Sequence, residues 1–199
     1  GRSRRLDHVG QLLGRPQERG LLVTQPPRGF SLIELMMALA ILAMLLVLAA
    51  PNYAAWVADG QIRAGAESIV GGMRIAYVEA IKRNQPVEFV LDPTTGSGGW
   101  TIQLQDGTDL RVEHFGEGAK QAGFVAAPGG ATTVTFNPLG QVIANGDASD
   151  TLTEVAVTFS GATINTRPLT VLVGGGRTGI KLCDPHVTDT TDPRFCTAA

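Results

Sequence analysis

The sequence predicts an α+β protein in which one long N-terminal helix, its first half able to span a membrane, packs on a C-terminal antiparallel β-rich domain. Three observations carry this. Residues 35–50 contain no charged or polar side chain. Ile62, Ala66, Ile69, Met73, Tyr77 and Ala80 recur at three- and four-residue intervals, the spacing of one buried helix face. From Gln85 onward the chain changes to short β-prone runs separated by Gly, Pro, Asn and Asp.

Residues 1–29 form a basic leader, with Arg2, Arg4, Arg5, Arg15, Arg19 and Arg28 against Asp7 and Glu18, a net charge of +4. The remaining 170 residues hold ten basic and sixteen acidic side chains, a net charge of −6. A basic segment before a span and an acidic domain after it predict that the leader is cytoplasmic and the domain lies outside. The leader's Arg, Gly, Pro and Gln content predicts a flexible tail.

The apolar run begins at Phe30 and ends at Ala50, 21 residues in all. At about 1.5 Å per residue it matches a hydrocarbon core roughly 30 Å thick. Residues 30–51 are therefore expected to be the transmembrane half of the helix. Glu34 interrupts this apolar stretch near its start, where an ionised carboxylate costs several kcal/mol without a partner. It either lies at headgroup level or has a function. Residues 52–84 continue as an amphipathic half, with Arg63, Glu67, Arg74 and Lys82 on other faces. Pro51 is expected to kink or locally unwind the helix rather than stop it. Gly60, Gly65, Gly71 and Gly72 weaken it by about 1 kcal/mol each, or else permit close packing.

Within residues 85–199, nine strands are expected at 87–91, 100–105, 110–115, 123–126, 132–136, 141–144, 154–159, 169–173 and 179–182. Trp100, Ile102 and Leu104 alternate with polar residues, as do Val155, Val157 and Phe159. Half-buried antiparallel strands have this pattern. Gln105-Asp106-Gly107-Thr108, Asn137-Pro138-Leu139-Gly140 and Asn145-Gly146-Asp147 supply turns. Gly96-Ser97-Gly98-Gly99 and Pro128-Gly129-Gly130 read as flexible connections.

Cys183 and Cys196 are the chain's two cysteines. A pair closing a short loop outside the cytoplasm reads as a disulfide, worth roughly 3 kcal/mol in the chain-entropy model. Zinc is the competing reading, but two thiols with His186 nearby fall short of four ligands. Asp184, Asp189 and Asp192 share that loop without regular calcium-ligand spacing. No catalytic constellation stands out: His8, His114 and His186 read as solvated or packed, and Gly174-Gly175-Gly176-Arg177 lacks the context and the Lys-Ser/Thr ending of a phosphate loop. No metal or cofactor is expected.

The stretch Arg28-Gly29-Phe30-Ser31-Leu32-Ile33-Glu34-Leu35-Met36 resembles the type III signal of type IV pilins and pseudopilins. That resemblance implies cleavage by a prepilin peptidase between Gly29 and Phe30 and methylation of the new N-terminus on Phe30. It also gives Glu34 an assembly role, pairing with the ammonium of a neighbouring subunit in low dielectric. Phe136-Asn137-Pro138-Leu139-Gly140 and Gly176-Arg177 before Ile180-Lys181-Leu182-Cys183 resemble the GspH/FimT branch, including FimU-like minor pilins. The implied fold is pilin-like.

The resemblance further implies a non-enzymatic minor pilin or pseudopilin that primes or caps a type IV pilus or a type II secretion pseudopilus. Its partners would be other major and minor pilins or pseudopilins, the prepilin peptidase and inner-membrane lipid, with final residence in a filament. The alternative is DNA capture for natural transformation. Some FimT-like proteins do this through a Gly-Arg-x-Arg motif, where this chain has Gly176-Arg177-Thr178-Gly179. Arg177, Lys181 and Arg194 are the candidate phosphate contacts, set against an acidic domain. A third class is a single-span protein with an unrelated β-domain.

Overall fold

The computed structural model describes residues 29–161, 165–174 and 179–196. Its first element is one α-helix, α1 (Leu32–Arg83), which continues through Pro51 as one helix. Basic Lys82 and Arg83 occupy its last turn, where they oppose the negative end of the helix dipole. Both pair with Glu79, whose carboxyl they hold below its ordinary value, chiefly through the hydrogen bond from Arg83. Asn84 then leaves the helix at φ 53°.

Nine strands follow: β1 (Val87–Asp92), β2 (Gly99–Leu104), β3 (Asp109–His114), β4 (Ala122–Ala127), β5 (Thr133–Phe136), β6 (Val142–Ile143), β7 (Glu154–Phe159), β8 (Leu169–Val173) and β9 (Ile180–Cys183). Each lies where alternation and turn residues place it, within one or two residues. They divide into two antiparallel sheets, ordered β3-β2-β1-β5-β6 and β4-β7-β8-β9. In the first, β1 is central, with Phe89 opposite Ile102 on one side and Val134 on the other. In the second, Val155 faces Val171 and Val157 faces Leu169 across β7 and β8.

Ile62, Ala66, Ile69, Met73 and Ala80 are fully buried, and Tyr77 is half-buried against the same core. The three-four stripe is thus the face that packs. Phe89, Ile102, Val134 and Phe136 from the first sheet and Val155, Val157 and Val171 from the second complete one continuous cluster. At about 25 cal/mol per Å² of apolar surface removed from water, this burial is the main source of the domain's stability. Trp100 is tied to the helix by a 3.0 Å hydrogen bond from its Nε1 to Ser68 Oγ.

The helix glycines split by role. Gly65 and Gly72 are buried against strand residues, whereas a Cβ at Gly60 or Gly71 would meet nothing within 4 Å. The segment 96–99 differs from the flexible connection its composition predicts. Gly98 and Gly99 are buried, and Gly98 N–H donates to Thr94 O at 2.7 Å. A Cβ on Gly99 would overlap the Glu113 carbonyl oxygen. Close approach of β3, rather than flexibility, selects the glycine there. Residues 128–130 form an exposed turn closed by Ala131 N–H to Pro128 O at 2.9 Å, and it carries the chain from the second sheet to the first.

The turn after β5 is built around Asn137, whose Oδ1 accepts from Leu139 N–H at 3.0 Å and Gln141 N–H at 2.8 Å. Gly140 adopts φ +75° and presses on the Tyr77 ring, so this turn fastens the first sheet to the helix. Asn145, 5% exposed, accepts from Thr135 Oγ1 at 2.9 Å and donates to Thr133 O, Ser149 and Asp150 O.

Candidate functional site

Two regions carry the residues singled out by sequence. The first is the helix start. Gly29 and Phe30 precede α1, Phe30 is 84% exposed, and a Cβ on Gly29 would meet nothing within 4 Å. Ser31 O accepts a helical bond from Leu35 N–H at 3.1 Å. Glu34 sits in the first turn, exposed, where a carboxylate also complements the positive end of the helix dipole. Leu35, Met37, Leu39, Ile41, Leu42, Leu45 and Leu48 are all more than half exposed. The helix is long and apolar enough to cross a membrane, and its most apolar window has no buried residue. An apolar surface of this kind is stable in water only if lipid or protein covers it.

The second region is the tail. Cys183, at the end of β9, is joined to Cys196, with Cα atoms 5.2 Å apart. The loop is laced internally. Asp184 N–H donates to Arg194 O at 2.9 Å, and Lys181 Nζ donates to Phe195 O at 2.8 Å. Arg194 grips Asp192 with two bonds, Nε to Oδ1 at 3.1 Å and Nη2 to Oδ2 at 2.8 Å. The Arg194 side-chain bonds, with help from its backbone N–H, lower the Asp192 carboxyl to about 2. Reciprocally, Arg194 is held more firmly protonated. Asp189 binds Thr191 and Asp184 binds His186 N–H, so the three loop carboxylates serve separate local turns.

Of the candidate DNA contacts, Lys181 and Arg194 are brought to the same tail, both engaged with protein partners. Arg177 lies outside the described residues, as does His8. His114 is exposed at the end of β3. Among the described residues no group of three His, Cys, Asp or Glu side chains could hold a metal.

A feature that sequence reading missed is a groove of about 670 Å³ between the tail and α1, which brings Trp56 and Arg63 of the helix to Arg167, Leu182 and Asp184. These residues are separated by more than one hundred positions, so no local pattern announces them. Tyr53 and Trp56, an exposed aromatic pair directly after the apolar run, were the one visible signal.

Residues 65–176 match the family described as Type II transport protein GspH. Residues 26–50 match the prokaryotic N-terminal methylation motif. Two crystal structures of the type IV minor pilin FimU of Pseudomonas aeruginosa strain PAO1 are similar at 18% identity each. One has a TM-score of 0.42 and covers 60% of this chain and 87% of its own, and the other has 0.38, covering 55% and 85%. No curated protein matches.

Proposed function

Because the chain belongs to the GspH family, we propose that it is cut between Gly29 and Phe30 by a prepilin peptidase, methylated on Phe30, and held in the inner membrane by residues 30–51 until it joins a filament. Members of this family are structural subunits of the pilin and pseudopilin type, not enzymes. The observation that carries the reading is the helix start: an exposed Phe30 after Gly29, an apolar stretch of helix with no buried residue and one carboxylate, Glu34, in its first turn. The apolar surface serves twice, first against lipid and then against neighbouring helices, while the two sheets remain on the other half of the helix as a finished domain.

The subunit's part in the filament is that of a minor component that primes or caps a type IV pilus or a type II secretion pseudopilus. The laced tail supports this, since a rigid, disulfide-closed loop offers a fixed contact surface to one neighbour. DNA capture has less support, because Arg194 already holds Asp192 and Lys181 already binds Phe195 O. The experiment is mass measurement of the chain expressed with and without prepilin peptidase. The peptidase should remove residues 1–29 and leave a methylated Phe30, and Gly29→Ala should block the cut. An unchanged mass with active peptidase would remove the basis of the reading.

A further inference from the structure

The groove beside the tail brings charged side chains of the helix and the tail together. Its helix wall carries Trp56, Asp59 and Arg63, and its other wall carries Arg167, Leu182, Asp184 and Arg194, the last held by Asp192. Arg167 N–H donates to Asp59 Oδ1 at 2.7 Å, which fixes that backbone one helical turn beyond Trp56. Among the described residues neither Arg63 nor Arg167 has an ion-pair partner. Among the described residues Asp59 accepts a backbone N–H, and Asp184 accepts His186 N–H at 2.9 Å, has the exposed His186 ring at 3.6 Å and lies in the field of Arg194. Two guanidinium groups without an ion-pair partner thus share the groove with two carboxylates, of which Asp59 has no cation beside it and Asp184 lies near an Arg194 already committed to Asp192.

The position of the groove narrows its occupant. Met44, Leu45, Leu46, Val47 and Leu48 are exposed apolar residues, and Tyr53 and Trp56 follow them at 66% and 71% exposure with ring centroids 6.0 Å apart. Paired exposed aromatics directly after an apolar run mark the level of lipid headgroups. Asp59 lies about 5 Å further along the helix and Arg63 about 10 Å, and helical side chains lean toward the helix N-terminus, back to that level.

We propose that this groove binds the headgroup of a phospholipid carrying both a phosphate and a primary ammonium, phosphatidylethanolamine, with the phosphate on Arg63 and Arg167 and the ammonium on Asp59 and Asp184. Trp56 and Leu182 cover the glycerol side. A purely anionic headgroup would satisfy the arginines and oppose the aspartates, and a quaternary ammonium could donate no hydrogen bond to them. The site rests on the membrane-anchored reading above and adds to it a lipid-specific seat for the domain before filament entry.

The test is native mass spectrometry of the full chain in detergent micelles, offered equal amounts of phosphatidylethanolamine, phosphatidylglycerol and phosphatidylcholine with the same acyl chains. One phosphatidylethanolamine should be retained with about tenfold preference, the equivalent of one charge-assisted hydrogen bond. On the unaltered protein, retention should fall stepwise through the mono-, di- and trimethylated headgroups. Arg63→Gln with Arg167→Gln should abolish the preference, and Asp59→Asn with Asp184→Asn should transfer it to phosphatidylglycerol. Equal retention of all three lipids by the unaltered chain overturns the site, as does indifference to N-methylation. Alkaline extraction of membranes from the expressing cells separates the two readings: a chain that resists extraction yet shows no lipid preference refutes the groove alone, and a chain that extracts refutes the anchor.

Discussion

Gly72 of α1 and Phe89 of β1 approach so closely that a Cβ built on the glycine would lie 2.7 Å from Cε2 of the ring, and the Trp100 indole stands 2.8 Å away on the same side. The helix can rest on the first sheet at this height only because it carries no side chain here. Gly72→Ala gains up to about 1 kcal/mol of helix propensity but incurs overpacking of about 1–3 kcal/mol. A lower denaturant midpoint for the chain in detergent is expected. Gly71→Ala, with nothing within 4 Å of its Cβ, should raise the midpoint instead. Equal shifts at both positions would contradict this packing.

Asn145 is the polar hub of the loop that follows β6. Its loss in Asn145→Ala leaves the fully buried Thr135 hydroxyl without its acceptor, an expected cost of about 1–3 kcal/mol. Adding Thr135→Val removes the orphaned group and should restore part of the stability. Thermal melts of the two single variants and the double variant measure the coupling.

The bond between Asp192 and Arg194 makes the tail sensitive to acid. Asp192 has its carboxyl lowered from 3.8 to about 2, so the contact contributes fully above the ordinary value and is lost as pH falls from about 4 through 2. Hydrogen exchange of residues 189–195 should quicken over that window while the β7 and β8 amides stay protected. In Arg194→Gln the Asp192 titration, followed by NMR, should return toward the ordinary aspartate value near 4.

Glu34 tests assembly apart from insertion. Glu34→Ala removes an acid from an otherwise apolar helix and so should insert in membranes at least as well. Its incorporation into filaments, followed by immunoblotting of sheared fibres against the membrane fraction, should drop at least several-fold. Normal incorporation would show that the carboxylate does not guide assembly.

Most of the fold was legible because its signals are local. The three-four spacing from Ile62 to Ala80 names the buried helix face, and the alternation in 100–104 and 155–159 names half-buried strands. The division into two sheets was not legible. Nothing in 133–136 states that β5 pairs with β1 rather than with β4, its neighbour in sequence. Gly98 and Gly99 misled for a related reason, since glycine signals freedom in isolation and close contact only once a partner strand is known. At the sites, the helix start could be read from consecutive residues. Arg177, Lys181 and Arg194 are near in sequence, but charge counting could not show that Arg194 is already occupied by Asp192, two positions away. The groove needed residues 56, 63, 167 and 184 to be placed together, which only folding does.

The helix is gripped at two heights by two different layers, Gly65 against Phe124 of the second sheet and Gly72 against Phe89 and Trp100 of the first. A pull along the helix axis therefore cannot peel away one sheet at a time. It must slide the helix past both at once, in shear, with ring atoms seated in two notches along its length. The two sheets hold this part of the helix in the manner of a key held by two wards, and a load along it is divided between both.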